Sequence, residues 1–404
     1  MKLPDIGSNN RHGVMAVGVL AGAVGSAVTG LLLVSAAWAA LSLLIGRFPF
    51  RVTRSDGILL LSASLYSLIG VCLMLVNLET GTTDGGRLAS KAVPLLMFLT
   101  VWLLLPRLRA SSAGLLQAFI SGASICGLLA LPPAIWQSGY LGIRAEGFAG
   151  NALPFALICC LFGVISLLNI TSADIWRRTL GWCGFIASLA CLFLSGSRGL
   201  LPVPFAGLCV FALFFRSAIG RYWNLQGLIL SIVVIAALSV SAIYNAGRLE
   251  ALYGMAMGAA REESLSSRLL LWNHAWSLFC DRPFLGYGIQ NRLSRIAETG
   301  LTYSHFHNGY LTVLVDSGIF GLVSLLLLLA SPVIIALRAP SDNARRHRIF
   351  AAVALSSTYA FGGLTNFIFG HDIYDSVFLW GAIVIAASVP RSPENPFWPY
   401  RQEE

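Results

Sequence analysis

The chain has 404 residues, of which 56% are hydrophobic and 11% are charged, and its formal net charge is +9. Soluble domains carry about a quarter charged residues, so this composition excludes an ordinary soluble protein and indicates a polytopic membrane protein. The positive charge follows the membrane topology described below and gives no reason to expect a nucleic-acid partner.

Apolar runs long enough to cross a bilayer recur along the chain. A helix needs about 20 mostly apolar residues to span the hydrocarbon core. The first run, 14–46, is too long for one span and is predicted to break near Gly25 to Gly30. The further runs are 57–76, 92–105, 112–135, 149–169, 179–196, 200–215, 224–245, 309–337, 349–369 and 373–390. The predicted fold is all-α, a polytopic membrane protein with about 12 transmembrane helices and both chain ends on one side.

The basic residues predict the orientation, because Lys and Arg accumulate in short cytoplasmic loops. With the amino terminus inside, 17 of the 27 basic residues fall in cytoplasmic segments, and six of the ten others lie in one long polar segment. This segment, residues 248–308, is predicted to be a large periplasmic segment containing short helices. It separates about nine transmembrane helices in 1–247 from about three, with a cytoplasmic tail, in 309–404.

Two arginines lie at the predicted outer edge of the membrane. The stretch Ser195-Gly196-Ser197-Arg198-Gly199 separates two spans with almost no loop, and a guanidinium at membrane depth costs about 2.5 to 3.5 kcal/mol unless it is paired or faces water. Arg198 is therefore either a topological anchor or a fixed cation for an anionic ligand. Arg144 precedes another span, and Glu146 is a candidate partner that would neutralise it.

Residues 264–279 of the external segment have apolar positions at helical spacing. Ser264 and Ser266 are candidate N-caps, so the pattern predicts a short amphipathic helix lying on the membrane. Arg268 would then lie in the first turn, near free N–H groups that attract anions. The alternative for Arg268 is a solvated helix face.

Two histidines, His305 and His307, precede the long apolar run that begins at Gly309. An ionisable group beside hydrocarbon is a candidate functional residue, although an interfacial histidine can simply snorkel. A metal site at this pair would need a third donor, such as His274 or Asp372, and the spacing matches no recognisable metal motif.

Asp316 falls within a predicted span. We interpret it as the partner in a helix-packing hydrogen bond, and the alternative is that it orients a catalytic arginine. Gly309 and Gly318 are predicted to let backbones approach closely.

Four groups of residues resemble the motifs of the O-antigen ligase and polymerase superfamily. They are Arg144-x-x-Gly147 with Asn151, Ser195-x-Ser197-Arg198-Gly199, Arg268-x-x-x-Trp272 followed by Pro283-x-x-Gly286-x-Gly288, and His307-Asn308-x-x-Leu311 with Asp316-x-Gly318. The chain departs from the family's pattern after Asn151, where many relatives have Pro directly, and at Asp316, where Glu is usual. Members of this superfamily move glycans from an undecaprenyl diphosphate carrier to an acceptor outside the inner membrane.

The chain is most similar to the ligase branch, since a single substantial external segment fits that branch. The resemblance implies an O-antigen ligase of the Gram-negative inner membrane, facing the periplasm and surrounded by membrane lipids. It would transfer O-antigen from undecaprenyl diphosphate to a sugar hydroxyl of the lipid A-core oligosaccharide, inverting, without metal or cofactor. An O-antigen or exopolysaccharide polymerase of the same superfamily and a transporter of lipid-linked glycans are the alternatives, and the oligomeric state is left open.

The chemistry of such a transfer suggests roles for individual residues. Breaking a sugar–diphosphate bond leaves negative charge on the departing oxygen, and the planar arginine fork suits phosphate. Arg198 and Arg268 are predicted to bind the diphosphate, with Arg144 as a weaker third member. His307 is predicted to be the general base for the acceptor hydroxyl, and His305 to orient it or contact the glycan. Further substrate contacts are predicted at Asn308, Asn151 and Trp272.

Overall fold

The computed structural model describes residues 6–23, 25–46, 52–78, 85–109, 114–216 and 263–390. Among these residues the secondary structure is helical and no strand is present. The predicted span 224–245 and the predicted start of the external segment at residue 248 lie outside the described residues.

The described helices are α1 (Ile6–Ala23), α2 (Ala27–Leu44), α3 (Arg54–Val76), α4 (Gly85–Met97), α5 (Val101–Arg109), α6 (Leu115–Ile135), α7 (Ala152–Ser166), α8 (Ile175–Leu194), α9 (Pro202–Phe214), α10 (Glu263–Asp281), α11 (Arg292–Ala297), α12 (Gly309–Arg338), α13 (Arg345–Thr365) and α14 (Asp372–Ala387).

Seven helical segments in the described ranges are long and apolar enough to cross a membrane. They are Ala27–Leu44, Asp56–Val76, Leu88–Arg109, Leu115–Tyr140, Ala152–Thr171, Ile175–Leu194 and Gly309–Arg338. Shorter apolar helices occur at Arg11–Ala21 and Arg198–Phe214. The prediction of an all-α polytopic membrane protein is confirmed, whereas the total of about 12 spans stays a prediction.

The first apolar run breaks where the sequence predicts it. Gly25 separates α1 from α2 with a φ of 56°, and a Cβ there would lie 2.2 Å from the carbonyl oxygen of Phe148. Only glycine fits both the left-handed backbone and this close approach. The turn therefore packs α1 and α2 against the loop that follows α6.

Small residues bring the buried helices of the core close together. Gly18 of α1 lies against the backbone of Gly122 in α6, and Gly184 of α8 lies against Ser124 on the same helix. Close backbone contact of this kind drives helix association in membranes, where lipid removes the ordinary hydrophobic force. Behind this layer, α7 is almost fully buried. The result is a closely packed base for the loops at the predicted outer end.

Helix α12 is interrupted at Gly318, where φ is 58° and ψ is −157°. A Cβ at Gly318 would lie 2.3 Å from the carbonyl oxygen of Phe284, so the predicted close backbone approach is confirmed there. Three backbone hydrogen bonds, each of 2.8 Å, join the break to residues 283–288: Tyr287 N to Val315 O, Gly288 N to Asp316 O, and Ile319 N to Pro283 O. The loop after α10 thus satisfies backbone groups that the broken helix leaves free.

Helix α10 is confirmed as an element, but its predicted start is wrong. Ser264 and Ser266 lie inside the helix, which already includes Glu263. Neither serine is an N-cap, and Arg268 lies beyond the first turn, so its predicted place beside the free N–H groups of that turn is also wrong. The helix buries Leu271 and Ala275 in a small apolar cluster that includes Phe306, next to the histidine pair. Its position on a membrane surface stays a prediction.

Candidate active site

His307 has a positive φ of 52°. No other non-glycine residue in the described ranges has a positive φ. Such a backbone costs energy and is typical of functional sites when the surroundings hold it in place. The ring of His307 lies 4.7 Å from that of Tyr303 and 4.5 Å from that of His305, measured between centroids. Within the described part of the chain no hydrogen bond occupies either ring nitrogen of His307, so this imidazole is available to a ligand.

His305, in contrast, is buried and has both ring nitrogens occupied. Its Nε2 is 2.8 Å from Asn366 Oδ1, and its Nδ1 is 3.1 Å from Ser304 Oγ. The amide nitrogen of Asn366 donates to the hydroxyl of Tyr374 at 3.2 Å, which orients the amide oxygen toward His305. Nε2 of His305 therefore donates its proton and Nδ1 accepts from Ser304. These bonds occupy both ring nitrogens of His305, and its two predicted roles, the orientation of His307 and a contact with the glycan, stay predictions.

The surroundings keep both imidazoles neutral at neutral pH. The pKa of His305 is lowered to about 4. Burial is the largest cause, the neighbouring His307 is the next, and the charges of Arg292 and Arg268 lower the pKa further. Burial, followed by the charge of Arg268, also lowers the pKa of His307. The charge of Arg268 therefore contributes to the lowered pKa of both rings. The structure thus brings His305 and His307 together, and the convergence of Arg268 with them in one site stays a prediction.

The side chain of Arg144 binds the loop that carries Arg198. Its Nε donates to the carbonyl oxygen of Ser195 at 2.8 Å, and its Nη2 donates to Ser197 Oγ at 3.2 Å. Among the described residues no ion pair joins Arg144 to Glu146, so the alternative of neutralisation by Glu146 is wrong. The guanidinium instead fixes the turn immediately before Arg198.

The Arg198 loop packs on the end of α13. A Cβ added to Gly199 would lie 2.9 Å from Thr365 Oγ1. Thr365 directly precedes Asn366, whose side chain holds His305. The loop with Arg198 and the loop with the two histidines therefore meet at the same end of one helix.

The two predicted asparagine contacts are helix caps. Asn308 Oδ1 accepts from the backbone N–H groups of Tyr310 and Leu311 at the start of α12, and Asn151 Oδ1 accepts from Leu153 N at the start of α7. Both amide oxygens are thus occupied. The NH₂ groups of both side chains remain to donate to a substrate.

Trp272 lies one helical turn beyond Arg268 and is partly buried. Its Nε1–H is buried and has no acceptor among the described residues. Buried donors are nearly always paired in proteins, so an acceptor from a bound molecule or water would complete this one.

Asp316 does not form the predicted helix-packing hydrogen bond. It accepts three hydrogen bonds from Arg292, two of them 3.1 Å from Nε and one from Nη2, in a largely buried ion pair. Burial alone would lower the pKa of Arg292, but the carboxylate more than offsets this and raises it. Sequence reasoning missed Arg292, which is one of several arginines in a polar segment.

A cavity of about 70 Å³ with several polar lining residues lies beside this ion pair. Arg292, Asp316 and the fully buried Asp375 line it together with Phe367, whose ring lies 5.0 Å from that of His305. Asp375 accepts from the backbone N–H of Gly370 at 3.0 Å. The cavity adjoins the histidine pair on the side of α3 and α14.

The residues weighed as a third metal donor have other partners. His274 Nε2 lies 2.8 Å from the carbonyl oxygen of Arg295, and Asp372 pairs with His371 at 3.0 Å. In the ranges that the structure describes, no group of three or more His, Cys, Asp or Glu side chains has the arrangement of a metal site.

Comparison with known proteins gives two matches. A family model described as O-Antigen ligase matches residues 183–326. The chain is also 24% identical, over 274 residues, to a protein of Haemophilus influenzae described as an uncharacterized protein. That alignment covers 62% of this chain and 66% of the relative, so the chain spans about two thirds of the relative's length. The range matched by the family includes Arg198, Arg268 and His307.

Proposed function

We propose that the protein is an O-antigen ligase, because a family model described as O-Antigen ligase matches residues 183–326. It transfers O-antigen from undecaprenyl diphosphate to a sugar hydroxyl of the lipid A-core oligosaccharide, at the periplasmic face of the inner membrane. The observation that supports this proposal is the meeting of the histidine loop and the Arg198 loop at one end of α13, where the charge of Arg268 lowers the pKa of His307.

The arginines supply the electrostatic part of the reaction. Cleavage of the sugar–diphosphate bond leaves its electron pair on a diphosphate oxygen, and fixed cations stabilise that charge as it develops. Arg198 and Arg268 bind the diphosphate through charge-assisted hydrogen bonds. Arg144 contributes by holding the loop, because its bonds to Ser195 and Ser197 fix the turn before Arg198.

His307 acts as the general base. The acceptor hydroxyl attacks the anomeric carbon, its proton passes to a ring nitrogen of His307, and the bond from that carbon to the diphosphate oxygen breaks in the same displacement. Attack opposite the leaving group inverts the anomeric centre. A lowered pKa leaves the imidazole unprotonated at neutral pH and therefore able to accept the proton. No residue in this scheme requires a metal ion.

Alanine substitution tests these assignments. His307→Ala, Arg198→Ala and Arg268→Ala are each expected to reduce O-antigen attachment about a hundredfold or more, at unchanged abundance in the membrane. Arg177→Ala, an exposed arginine at the start of α8, is the matched control and is expected to retain activity. Normal decoration of lipopolysaccharide by all three site variants would overturn the assignment.

A second experiment separates the ligase from the two alternative functions. Purified protein in liposomes is given lipid-linked O-antigen together with either lipid A-core or a second lipid-linked repeat unit. Product on lipid A-core, formed without an ion gradient, is expected. Extension of the lipid-linked repeat alone would indicate a polymerase, and translocation without product would indicate a transporter.

A further inference from the structure

The loop between α13 and α14 carries a row of rings onward from the histidine pair. The ring of Phe367 lies edge to face with that of His305, 5.0 Å away between centroids, and His371 stacks on Phe367 at 5.8 Å. His305 in turn lies 4.5 Å from His307. The chemistry assigned to His307 uses neither Phe367 nor His371. The row therefore leads from the proposed base to a second group of side chains.

The row ends at a polar pair, His371 and Asp372. Nδ1 of His371 lies 3.0 Å from Asp372 Oδ1, and the two side chains are 26% and 41% exposed. The backbone N–H of Ile373 donates to the same Nδ1, and in the part of the chain that the structure describes no hydrogen bond occupies Nε2. Thr29 Oγ1 donates to Asp372 Oδ2 at 3.4 Å, but a carboxylate accepts several hydrogen bonds at once. The pair thus presents an imidazole nitrogen and carboxylate oxygens beside an aromatic ring.

This combination of groups suits an uncharged sugar. The apolar face of a sugar ring packs on an aromatic ring, while its hydroxyls donate to and accept from polar side chains. Binding sites for small polar molecules combine aromatic walls with a few polar groups that fix the orientation of the ligand. The carboxylate of Asp372 disfavours a phosphate or a diphosphate, because like charges repel. The hydroxyls of a neutral sugar meet no such repulsion and donate to the carboxylate.

We propose that Phe367, His371 and Asp372 bind the sugar of the acceptor oligosaccharide that neighbours the sugar being glycosylated. This inference rests on the proposed function, in which His307 takes the proton of the acceptor hydroxyl and the accepting sugar therefore lies at the start of the row. The neighbouring sugar packs on Phe367, and its hydroxyls bond to His371 Nε2 and to the carboxylate of Asp372. The diphosphate of the donor binds to the arginines and not beside this carboxylate.

Three substitutions each remove one of these contacts. They are Phe367→Leu, Asp372→Asn and His371→Asn, the last of which keeps a side-chain acceptor for the cap of α14 while it removes the ring. In a transfer assay each is expected to raise KM for lipid A-core by about fivefold to tenfold, with kcat and KM for the donor within about twofold of wild type. Glu298→Gln is the matched control, because its carboxylate in the external segment is similarly exposed, at 42%, and lies outside the row. It is expected to keep the wild-type KM.

A binding measurement separates this inference from the proposed function. Deacylated core oligosaccharide is titrated into the purified protein in detergent, and isothermal titration calorimetry reports binding without any transfer. Weaker binding by the three site variants and wild-type binding by Glu298→Gln are expected, and where one variant fails to fold the other two decide. Equal binding by wild type and site variants, or no binding by the wild type, would overturn the inference even if lipid A-core is glycosylated. A wild type that binds the oligosaccharide through these residues and transfers no glycan would instead overturn the proposed function.

Discussion

The ion pair between Arg292 and Asp316 allows a test of whether Arg292 positions the site or acts on substrate. The two side chains are 14% and 5% exposed, and they share three hydrogen bonds. Removing one partner leaves an uncompensated buried charge, which costs about 3 to 5 kcal/mol. Removing both partners leaves no uncompensated charge. The free energy of unfolding of the double variant is therefore expected to be within about 1 to 2 kcal/mol of the wild-type value.

The variants are Arg292→Met, Asp316→Asn and their combination, measured by heat denaturation in detergent. At roughly 2 °C per kcal/mol, each single substitution is expected to lower the midpoint by about 6 to 10 °C, and the double variant by much less. Activity is expected to follow the amount of folded protein and to recover in the double variant. Additive midpoint losses would refute the energetic reasoning, and a stable but inactive double variant would show that the Arg292 guanidinium contacts substrate.

Three further changes test other parts of the site. Gly318→Ala combines a left-handed backbone with a steric clash and is expected to lose at least about 3 kcal/mol, whereas Gly139→Ala, which meets no neighbouring atom, is the stable control in the same assay. His305→Phe is expected to cost about 1 to 3 kcal/mol at pH 7. The folded pKa of His305 is lowered to about 4, so wild-type stability is expected to fall as the pH is lowered from about 6.5 to about 4. In heat denaturation measured over this pH range, His305→Phe is expected to lose less stability than the wild type. Arg144→Ala is expected to reduce activity about tenfold or more through the loop, and Arg144→Lys to restore part of it in a transfer assay.

The sequence predicted the membrane-spanning helices because hydrophobic length is a local property. The break at Gly25 was also predictable, since no single span accommodates the run 14–46. The start of α10 was predicted wrongly. Ser264 and Ser266 have good capping chemistry, but the helix already includes Glu263 and so begins before both serines. Local capping preference is weak when tertiary packing favours a longer helix.

The motifs of the external segment were recognised singly, but their pairing required the structure. Pro283 and Gly288 form backbone hydrogen bonds to the interruption of α12 around Gly318. The motif Pro283-x-x-Gly286-x-Gly288 and the motif Asp316-x-Gly318 therefore pack against each other. Arg292 and its partner Asp316 are 24 residues apart, on either side of a loop, and no sequence periodicity links them. Contacts of this kind depend on how the chain returns on itself, which local patterns do not encode.

Binding of the donor is expected to change the proton affinity of His307. In the free protein the positive charge of Arg268 contributes to the lowered pKa of this imidazole. A diphosphate bound to Arg268 offsets that charge, so the pKa of His307 rises and the imidazole becomes a stronger base only when the donor is present. The acidic limb of kcat, which reports the donor-bound protein, is then expected at higher pH than the acidic limb of kcat/KM for the donor. Arg268→Gln is expected to move the acidic limb of kcat/KM to higher pH, because it removes a charge that lowers the pKa of His307 in the free protein, and wild-type limbs that coincide would contradict this coupling.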